Sequence, residues 1–427
     1  MGELAIPEAG RPRLSQAGQH VTQGMRAMSS SQKTALDNVY GVLLKPYARL
    51  HAGRRQPPPW TRPLRRTAKA VLSVARYGHD VSRHHSVGVA RQAAMLLHRL
   101  NEGFSVEDFY RYRLYRETDE VLFVPSQFNY EIRSNLYRRL AVDAELLADK
   151  RRFARAAVAA GLPTPEMVAE FSDGTIEWWS GNSLPGAHLF AKEAQAMCGQ
   201  GAMSWSWDGA GWVDQESGAA CDEKGLLAHL VELSQKAPYV LQRRLSNHPD
   251  LLELSPVGLC TVRVVTFRSR GGGDPRILLC AFRIPRSGDI ADNFARGGLA
   301  CTIDMDTGTL GIAVLKDLHH AHLDLDRIPD TGAKVSGRVL PCWDAVKALA
   351  VRAHDCFPQF PSVGWDIAIT DHGPVVLEAN YNWDSVLAQQ VGCCPLGGTE
   401  WTDHLLEWAQ ENPGAEGDSE ARTAQSN

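Results

Sequence analysis

At 427 residues the chain is long enough for two or three domains with hydrophobic cores of their own. Its apolar share of 44% and charged share of 22% are those of an ordinary globular protein, which excludes a largely disordered or fibrous chain. The formal net charge of -4 indicates no particular partner, and no run approaches the roughly 18–20 apolar residues of a membrane-spanning helix.

The nine cysteines lack the C-x-x-C pairs and the regular spacing that zinc ribbons and disulfide frameworks need. Apart from the adjacent Cys393 and Cys394 they are scattered, which is typical of reduced thiols inside the cell. Residues 1–30 show no charged-then-apolar signal pattern. We therefore expect a soluble, cytoplasmic protein.

The first third of the chain is predicted to be helical. Residues 1–30 are rich in small and polar residues without periodicity and are expected to be disordered, whereas residues 31–147 form a helical, Arg-rich region. The break at Pro57-Pro58-Pro59 ends the first helix of that region. The predicted helices are Gln32–Leu50, Thr67–Tyr77, Val87–Leu100, Val106–Tyr115 and Gln127–Leu147.

After Pro165 the pattern changes to short runs typical of strands, with helices predicted at Lys224–Gln235 and Cys342–His354. This mixture predicts an α+β fold with mainly antiparallel sheets. The tail, residues 411–427, is again expected to be disordered. The predicted strands are Met167–Phe171, Leu189–Lys192, Tyr239–Arg243, Thr261–Phe267, Ile277–Ile284, Leu299–Asp304, Val363–Thr370 and Pro374–Asn380.

The segment VGWDIAITDHGPVVLEAN, residues 363–380, has two alternating runs around Asp371-His372-Gly373. Gly at the last turn position favours a three-residue hairpin loop. That loop places Asp366 opposite Glu378, with Asn380 on the same face. The other face is apolar and is predicted to pack in the core; it comprises Trp365, Ile367, Ile369, Val375, Leu377 and Ala379.

Two carboxylates about 5 Å apart repel each other, so this face needs a cation. Three oxygen ligands with open coordination positions suit Mg²⁺ that is shared with phosphate oxygens. The alternative is a solvated hairpin face with scattered charges. The pattern D-x(11)-E-x-N across a hairpin resembles the magnesium site of ATP-grasp enzymes, which include D-alanine–D-alanine ligases. The resemblance implies that Asp366, Glu378 and Asn380 bind Mg²⁺ beside ATP.

Other segments resemble the ATP-grasp nucleotide pocket, in the family's order. Asp149-Lys150, before the turn AGLPTP, resembles the segment that opens the fold and whose lysine reaches the phosphates. The strand that ends at Lys192, followed by Gly199 and Gly201, resembles the strand lysine and the glycine loop. Glycines let backbone N–H groups approach phosphate oxygens. A capped helix start and an ordinary hairpin loop are the structural alternatives.

The strand Tyr239–Arg243 and the residues after it resemble the part of the pocket that binds the base. The resemblance implies that backbone groups around Arg244 and Leu245 read the adenine. Gln242 stands where the family often has Glu. His248 is a candidate for the ribose or substrate side, with a plain loop role as the alternative.

Arg263 interrupts the β-branched run TVRVVT, and such an arginine needs an anionic partner. Phosphate, a substrate carboxylate and a structural Asp or Glu are all open. The stretch FRIPRSGDIADNFARGG resembles the glutamate-adding, RimK-type ligases, in which an arginine, an asparagine and a following R-G-G line the phosphate and carboxylate site. The resemblance implies these roles for Arg283, Asn293 and Arg296.

Together the motifs are most similar to the sugar-transfer-associated ATP-grasp family, related to α-L-glutamate ligases, over about Tyr110–Trp408. The resemblance implies an ATP-grasp domain at 148–410, in which two α+β subdomains, about 163–245 (lid) and about 246–410 (metal and acceptor), clasp ATP. This chain departs from the family's pattern in its helical N-terminal region. It also departs at Asn382-Trp383-Asp384, where many relatives have Pro-Gly.

The implied activity is that of a carboxylate–amine ligase, which uses Mg-ATP to form an acyl phosphate and then an amide. Its partners are a small-molecule carboxylate and an amine. The family's description suggests a sugar acid or amino acid of a surface polysaccharide. The alternative within the same pocket is a phosphotransferase that acts on a small-molecule acceptor.

The segment Lys45–Arg99 has a dozen Lys and Arg residues and one acid, Asp80. It allows a third interpretation, a basic module that contacts anionic lipid, a lipid-linked substrate or nucleic acid, with a regulatory ATP site. The arginines lack the interleaved aromatic residues of nucleic-acid motifs, which argues against nucleic acid. A charged, solvated helix surface is the structural alternative.

Overall fold

The computed structural model describes residues 62–116, 123–196, 200–286, 294, 297–391 and 395–410. The predicted helix Gln32–Leu50 and the predicted disordered segments 1–30 and 411–427 lie outside the described residues. Within those ranges, no helix is both long enough and apolar enough to cross a membrane.

Helices dominate the described part of the chain before residue 160, as predicted. The predicted helix Val106–Tyr115 ends early, at Arg111, and the predicted helix Gln127–Leu147 is interrupted after Arg139. Arg113 and Ala141 have left-handed φ angles of 55° and 51°, a conformation that cannot continue a right-handed helix. The helices are α1 (Arg62–His85), α2 (Val89–Asn101), α3 (Val106–Arg111), α4 (Ser126–Arg139), α5 (Glu145–Ala148), α6 (Lys150–Ala159), α7 (Glu223–Ser234), α8 (Trp343–Cys356), α9 (Ser385–Val391) and α10 (Glu400–Gln410).

The first of two sheets has seven strands in the order β2-β1-β7-β3-β4-β5-β6, and every neighbouring pair is antiparallel. Sequence reasoning missed β2, β4, β5 and β6; of these, β2, β5 and β6 have only two to four residues, too few for an alternating pattern. The strands are β1 (Met167–Ser172), β2 (Thr175–Trp178), β3 (Leu189–Glu193), β4 (Met203–Trp207), β5 (Trp212–Asp214), β6 (Ala220–Cys221) and β7 (Tyr239–Arg243).

The second sheet has six strands, also all antiparallel, in the order β11-β10-β9-β8-β12-β13. Of these strands only β11 was not predicted. The boundary between the two predicted subdomains stays a prediction; the two sheets lie on either side of it. The strands are β8 (Thr261–Phe267), β9 (Arg276–Ile284), β10 (Leu299–Ile303), β11 (Leu310–Leu315), β12 (Ser362–Thr370) and β13 (Gly373–Asn380).

Helices cover both faces of the six-stranded sheet. The apolar stripe of α8 packs on one face, where Val346 and Ala350 join the core that contains Phe282 and Trp365. On the other face, α9 is buried along its whole length and packs against the inner strands β9 and β10. The second face also carries the charged side chains of Arg263, Asp366 and Glu378.

The β12–β13 hairpin turns more tightly than predicted. Thr370 pairs with Gly373, so the loop contains only Asp371 and His372, and the predicted three-residue loop is wrong. The Thr370 side chain explains the tight turn, because its Oγ accepts the His372 N–H and donates to the Gly373 carbonyl.

A β-bulge restores the register further along the same hairpin. With a two-residue loop and a regular ladder, Asp366 would lie opposite Leu377. The register shifts between Asp366 and Ile367, and Asp366 pairs with Glu378 as predicted. Val376 consequently packs in the core, in place of the predicted Val375 and Leu377.

Candidate active site

A cleft of ≈ 270 Å³ lies between the seven-stranded sheet, the start of α6 and the strand β13. Lys150 and Lys192 line the cleft together with Thr164 and Gln242, so the structure brings the two predicted lysines into one site. The remaining lining is apolar: Phe153, Ala154, Pro165, Met167, Val240, Val376 and Leu377.

Lys192 connects the seven-stranded sheet to the β12–β13 hairpin, which carries the predicted metal ligands. It lies on β3, between β4 and β7, and its Nζ is 3.4 Å from the Leu377 carbonyl oxygen on β13. Burial lowers the pKa of the Lys192 ammonium to about 8, although the carboxylates of Glu378 and Asp366 act in the opposite direction. Its charge therefore depends on what occupies the cleft.

Lys150 is the first residue of α6. Asp149 caps that helix and accepts the N–H of Arg151 at 2.9 Å, so the structural alternative for Asp149-Lys150 is also correct. The Lys150 Nζ donates to the Ala196 carbonyl at 2.5 Å, just before the predicted glycine loop. Lys150 thus connects the start of α6 to that loop at the edge of the cleft.

Gly201 occupies a position that only glycine fits without strain. Its φ is +67°, and a Cβ there would lie 3.1 Å from the Tyr239 hydroxyl oxygen. The other predicted loop glycine, Gly199, lies outside the described residues.

The predicted base-binding segment follows β7. Gln242 is buried at the end of that strand and faces the cleft. The Arg244 N–H donates to the His188 carbonyl at 2.9 Å, so that N–H is already engaged. Leu245 is half-buried. His248 caps a short 3-10 helix and accepts the Asp250 N–H at 3.2 Å, which is the loop role named as its alternative.

A row of charged side chains crosses the six-stranded sheet. Arg263 on β8 is paired with Asp366 on β12, and Asp366 is paired with Glu378 on β13. Directly opposite residues of antiparallel strands point to the same face. Arg283 on β9 is two residues from Ala281, the partner of Arg263, so it shares that face.

Asp366 is the centre of this row and is only 2% exposed. Arg263 binds it through two hydrogen bonds, Nε–Oδ1 at 2.5 Å and Nη2–Oδ2 at 3.0 Å. The Arg283 Nη2 is 2.9 Å from the Asp366 Oδ2, and the Asn380 amide nitrogen is 3.4 Å from it. Burial alone would raise the pKa of the Asp366 carboxyl, but Arg263 and Arg283 outweigh burial and hold it well below its ordinary value.

The cation that the carboxylate pair was expected to need is therefore present, as two guanidinium groups. Three of the contacts to Asp366, from Arg263, Arg283 and Asn380, are to its Oδ2, whereas its Oδ1 accepts one hydrogen bond, from Arg263. Glu378 and Asn380 are half-buried beside the cleft and provide the oxygen donors that Mg²⁺ prefers. These two residues fit a magnesium site, and Asp366 lies beside them on the same sheet face with its Oδ1 open to a further contact.

Among the described residues, no group of three His, Cys, Asp or Glu side chains is arranged to hold a metal ion. The ligand set Asp366, Glu378 and Asn380 therefore stays a prediction. Asn293 and Arg296, predicted on the acceptor side, lie outside the described residues.

Two contacts that hold the loop after β13 in place were not predicted from the sequence. The buried Arg133 of α4 lies over the Trp383 ring at 4.1 Å and also donates to the Trp383 carbonyl. Lys316, just after β11, forms an ion pair of 2.5 Å with Asp384. The unusual sequence Asn382-Trp383-Asp384 was the available signal, but its partners come from distant segments.

The profile of one protein family, described as sugar-transfer associated ATP-grasp, matches residues 127–396, well over half of the chain. The chain belongs to this family. The match includes the cleft, the charge row and α9, and it begins after α1, α2 and α3. With the two antiparallel sheets, it confirms the predicted ATP-grasp fold.

Solved structures similar to this chain include an L-amino acid ligase from Bacillus licheniformis, with 13% identity, coverage of 60% of this chain and 42% of that one, and a TM-score of 0.30. A RimK domain ATP-grasp protein from Sphaerobacter thermophilus DSM 20745 has 14% identity, coverage of 61% and 68%, and a TM-score of 0.31. The chain spans about half the length of the first structures it matches, 52% and 42%. No curated protein sequence matches it.

Proposed function

We propose that this protein is an ATP-dependent carboxylate–amine ligase. A carboxylate oxygen of the first substrate attacks the γ-phosphorus of ATP, the bond to the β–γ bridging oxygen breaks, and ADP leaves. The nitrogen of the second substrate then attacks the acyl carbon, and phosphate leaves with the former carboxylate oxygen. The observation that carries the proposal is the junction of the lysine-lined cleft with the row Arg283–Arg263–Asp366–Glu378.

The cleft suits ATP because it combines an apolar slot with two cations. Met167, Val240 and Val376 line the slot, and such apolar side chains pack well against the faces of a purine ring. Lys150 and Lys192 supply positive charge for the phosphates. Desolvation disfavours the charged form of Lys192, and an anionic ligand would stabilise that form by compensating its charge.

Glu378 and Asn380 are the residues that would hold magnesium, with Asp366 beside them on the same sheet face. A bound Mg²⁺ neutralises phosphate charge and orients the γ-phosphoryl group. The protein's own contribution is to keep these oxygen donors on one sheet face, next to Lys192.

The two arginines favour a carboxylate acceptor over a neutral hydroxyl. Arg263 and Arg283 have side chains only 8% and 12% exposed, and both contact the carboxylate of Asp366. Two guanidinium groups beside the γ-phosphate position stabilise the charge of the attacking carboxylate and of the tetrahedral intermediate. We propose a sugar acid or an amino acid connected with surface polysaccharide as the substrate class, on the family description.

The test measures ADP and phosphate release with Mg-ATP and a panel of sugar acids and amino acids, with and without amines. Hydroxylamine is added as a trapping amine, because it converts an acyl phosphate into a hydroxamate. Ligase activity predicts carboxylate-dependent hydroxamate and equal amounts of ADP and phosphate. A stable phosphorylated product that forms without any amine would instead establish the phosphotransferase alternative.

Lys192→Met provides the matched loss-of-function variant, and Lys236→Met, at an exposed lysine on the same subdomain, provides its control. We expect Lys192→Met to lose turnover and Lys236→Met to retain it. Equal turnover of the two variants would contradict the assignment of the cleft.

A further inference from the structure

The helix α1 lies outside the segment that the ATP-grasp family shares, and it has two apolar faces. The first is buried, and through Ala70, Val74 and Val81 it belongs to the core formed with α2 and α3. This packing uses residues at intervals of three to four, as expected for one face of a helix. It leaves the opposite side of α1 without a partner among the described residues.

That opposite side carries large apolar residues in the open. Leu64 is 72% exposed, Val71 54% and Leu72 71%. At about 100° per residue, Leu64 and Val71 lie nearly on one line, two turns apart, and Leu72 lies further round the helix, so that the three residues span an arc of about 100°. Apolar residues scattered singly over a surface need no explanation, but three on one helix face form a patch.

A basic row runs beside this stripe. Arg65, Lys69 and Arg76 follow at helical intervals and are exposed. Over its whole length α1 contains six Lys and Arg residues and one acid, Asp80, in a chain whose formal net charge is -4. The exposed face is thus half apolar and half cationic, opposite in sign to the protein as a whole.

We propose that this face of α1, the stripe Leu64–Leu72 with the row Arg65–Arg76, docks on an anionic lipid surface. An amphipathic helix binds at a membrane interface when its apolar residues enter the boundary between headgroups and acyl chains while Lys and Arg contact the anionic headgroups. A nucleic acid would use the basic row only and leave the stripe without a partner. The lipid surface is the occupant whose chemistry matches both halves.

The docking helix belongs to the same packed unit as the acceptor side of the site. In that unit, the Arg111 Nε donates to the Lys316 carbonyl at 3.0 Å, and Arg113 forms an ion pair of 2.6 Å with Asp324. Lys316 in turn holds Asp384, in the loop after β13. Docking through α1 would therefore also tether the loop after β13, through α3 and Lys316, to the lipid surface.

The test is sedimentation of the full-length protein with large unilamellar vesicles of phosphatidylcholine alone or with 30 mol% phosphatidylserine. We expect binding to the anionic vesicles only, and weakening as salt is raised. Charge reversal, Arg65→Glu/Lys69→Glu/Arg76→Glu, should weaken binding by roughly a hundredfold or more, since each basic residue near the surface contributes about a factor of five. Leu64→Gln/Val71→Gln/Leu72→Gln should abolish it with the basic row intact.

The control is Lys224→Glu/Lys236→Glu/Lys334→Glu, which changes the net charge equally at exposed lysines of other elements. It should bind as the unmodified protein does. Equal weakening by this control, or no binding to anionic vesicles, would overturn the proposal. Tight binding to a single-stranded RNA, under conditions in which the protein does not bind vesicles, would also overturn the proposal. A further outcome is that the unmodified protein fails to bind vesicles while the glutamine substitutions change its oligomeric mass or lower its Tm. That result would show that another protein surface covers the stripe, and it would also overturn the proposal.

Discussion

Arg263 and Asp366 form a buried, doubly hydrogen-bonded ion pair across neighbouring strands, with N–O distances of 2.5 and 3.0 Å. The pair lies in the middle of the charge row, so Asp366 cannot be treated as a metal ligand alone. Any change at Asp366 also alters the environment of two arginines. This coupling decides which substitutions can test the site cleanly.

Asp366→Asn should destabilise the fold as well as abolish turnover. It leaves the buried guanidinium of Arg263 without its counter-charge, which typically costs about 3–5 kcal/mol. Thermal and urea unfolding would measure the loss. Asp143→Asn removes the exposed partner of Arg152 and should shift the Tm only slightly. An Asp366→Asn protein as stable as the unmodified one would contradict the structural role of this pair.

Gly364→Ala tests the packing between the charge row and the loop after β13. A Cβ at Gly364 would lie 2.7 Å from the Trp383 Cβ and 3.3 Å from the Arg263 Cδ. We expect the methyl group to displace both side chains, with a loss of about 1–3 kcal/mol in unfolding free energy and a lowered kcat. Gly271→Ala, where nothing lies within 4 Å, is the control. The same kcat in both variants would show that the position of Trp383 does not matter to the site.

The hairpin shows how much of the site the sequence could predict. The alternating runs and the spacing from Asp366 to Glu378 were sufficient to pair these residues, yet the predicted loop length was wrong. The pairing survived because a bulge compensates for the shorter loop, and the bulge is stabilised by packing Val376 into the core. Such packing depends on the whole sheet, so no local pattern reveals it.

The partner of Arg263 was left open for a similar reason. Phosphate, a substrate carboxylate and a structural acid were all compatible with an arginine on an apolar strand. The pairing of β8 with β12 brings together residues 103 positions apart, which a single sequence does not show. The contact between Arg133 and Trp383 was not predicted for the same reason, because these residues are 250 positions apart in the sequence.

Nucleotide affinity should fall as the pH rises through about 8, because Lys192 has its pKa lowered to about 8 and loses its charge above that value. The sign follows from the ligand, since phosphate binds the ammonium and not the amine. Isothermal titration calorimetry of ATP binding at several pH values between about 7 and 9.5 measures the effect. Lys192→Arg keeps its charge over this range and should give a flatter profile. A steep profile in Lys192→Arg would assign the titration to another group.

Acid should destabilise the protein through His354, which is fully buried and whose pKa burial lowers from 6.5 to about 4. Its Nε2–H donates to the Phe360 carbonyl, while its Nδ1 accepts the Thr266 hydroxyl at 2.7 Å. The unfolded chain binds the proton more readily, so stability is present above pH ~6.5 and is lost as the pH falls toward ~4. The loss attributable to this group is on the order of 3 kcal/mol. Urea unfolding of His354→Gln should show a shallower decline, and an unchanged decline would contradict this account.

Glu378 offers the cleanest test of the proposed Mg-ATP site, because its partner across the hairpin, Asp366, already has Arg263 and Arg283 to hold it in place. The decisive measurement is the affinity for ATP with and without Mg²⁺, in the unmodified protein and in Glu378→Gln, with the Tm recorded for both. The account predicts that Mg²⁺ strengthens ATP binding in the unmodified protein, and that Glu378→Gln loses this gain while its Tm stays unchanged. An unmodified protein that binds no ATP, or a Glu378→Gln protein that keeps the full gain from Mg²⁺, would contradict it.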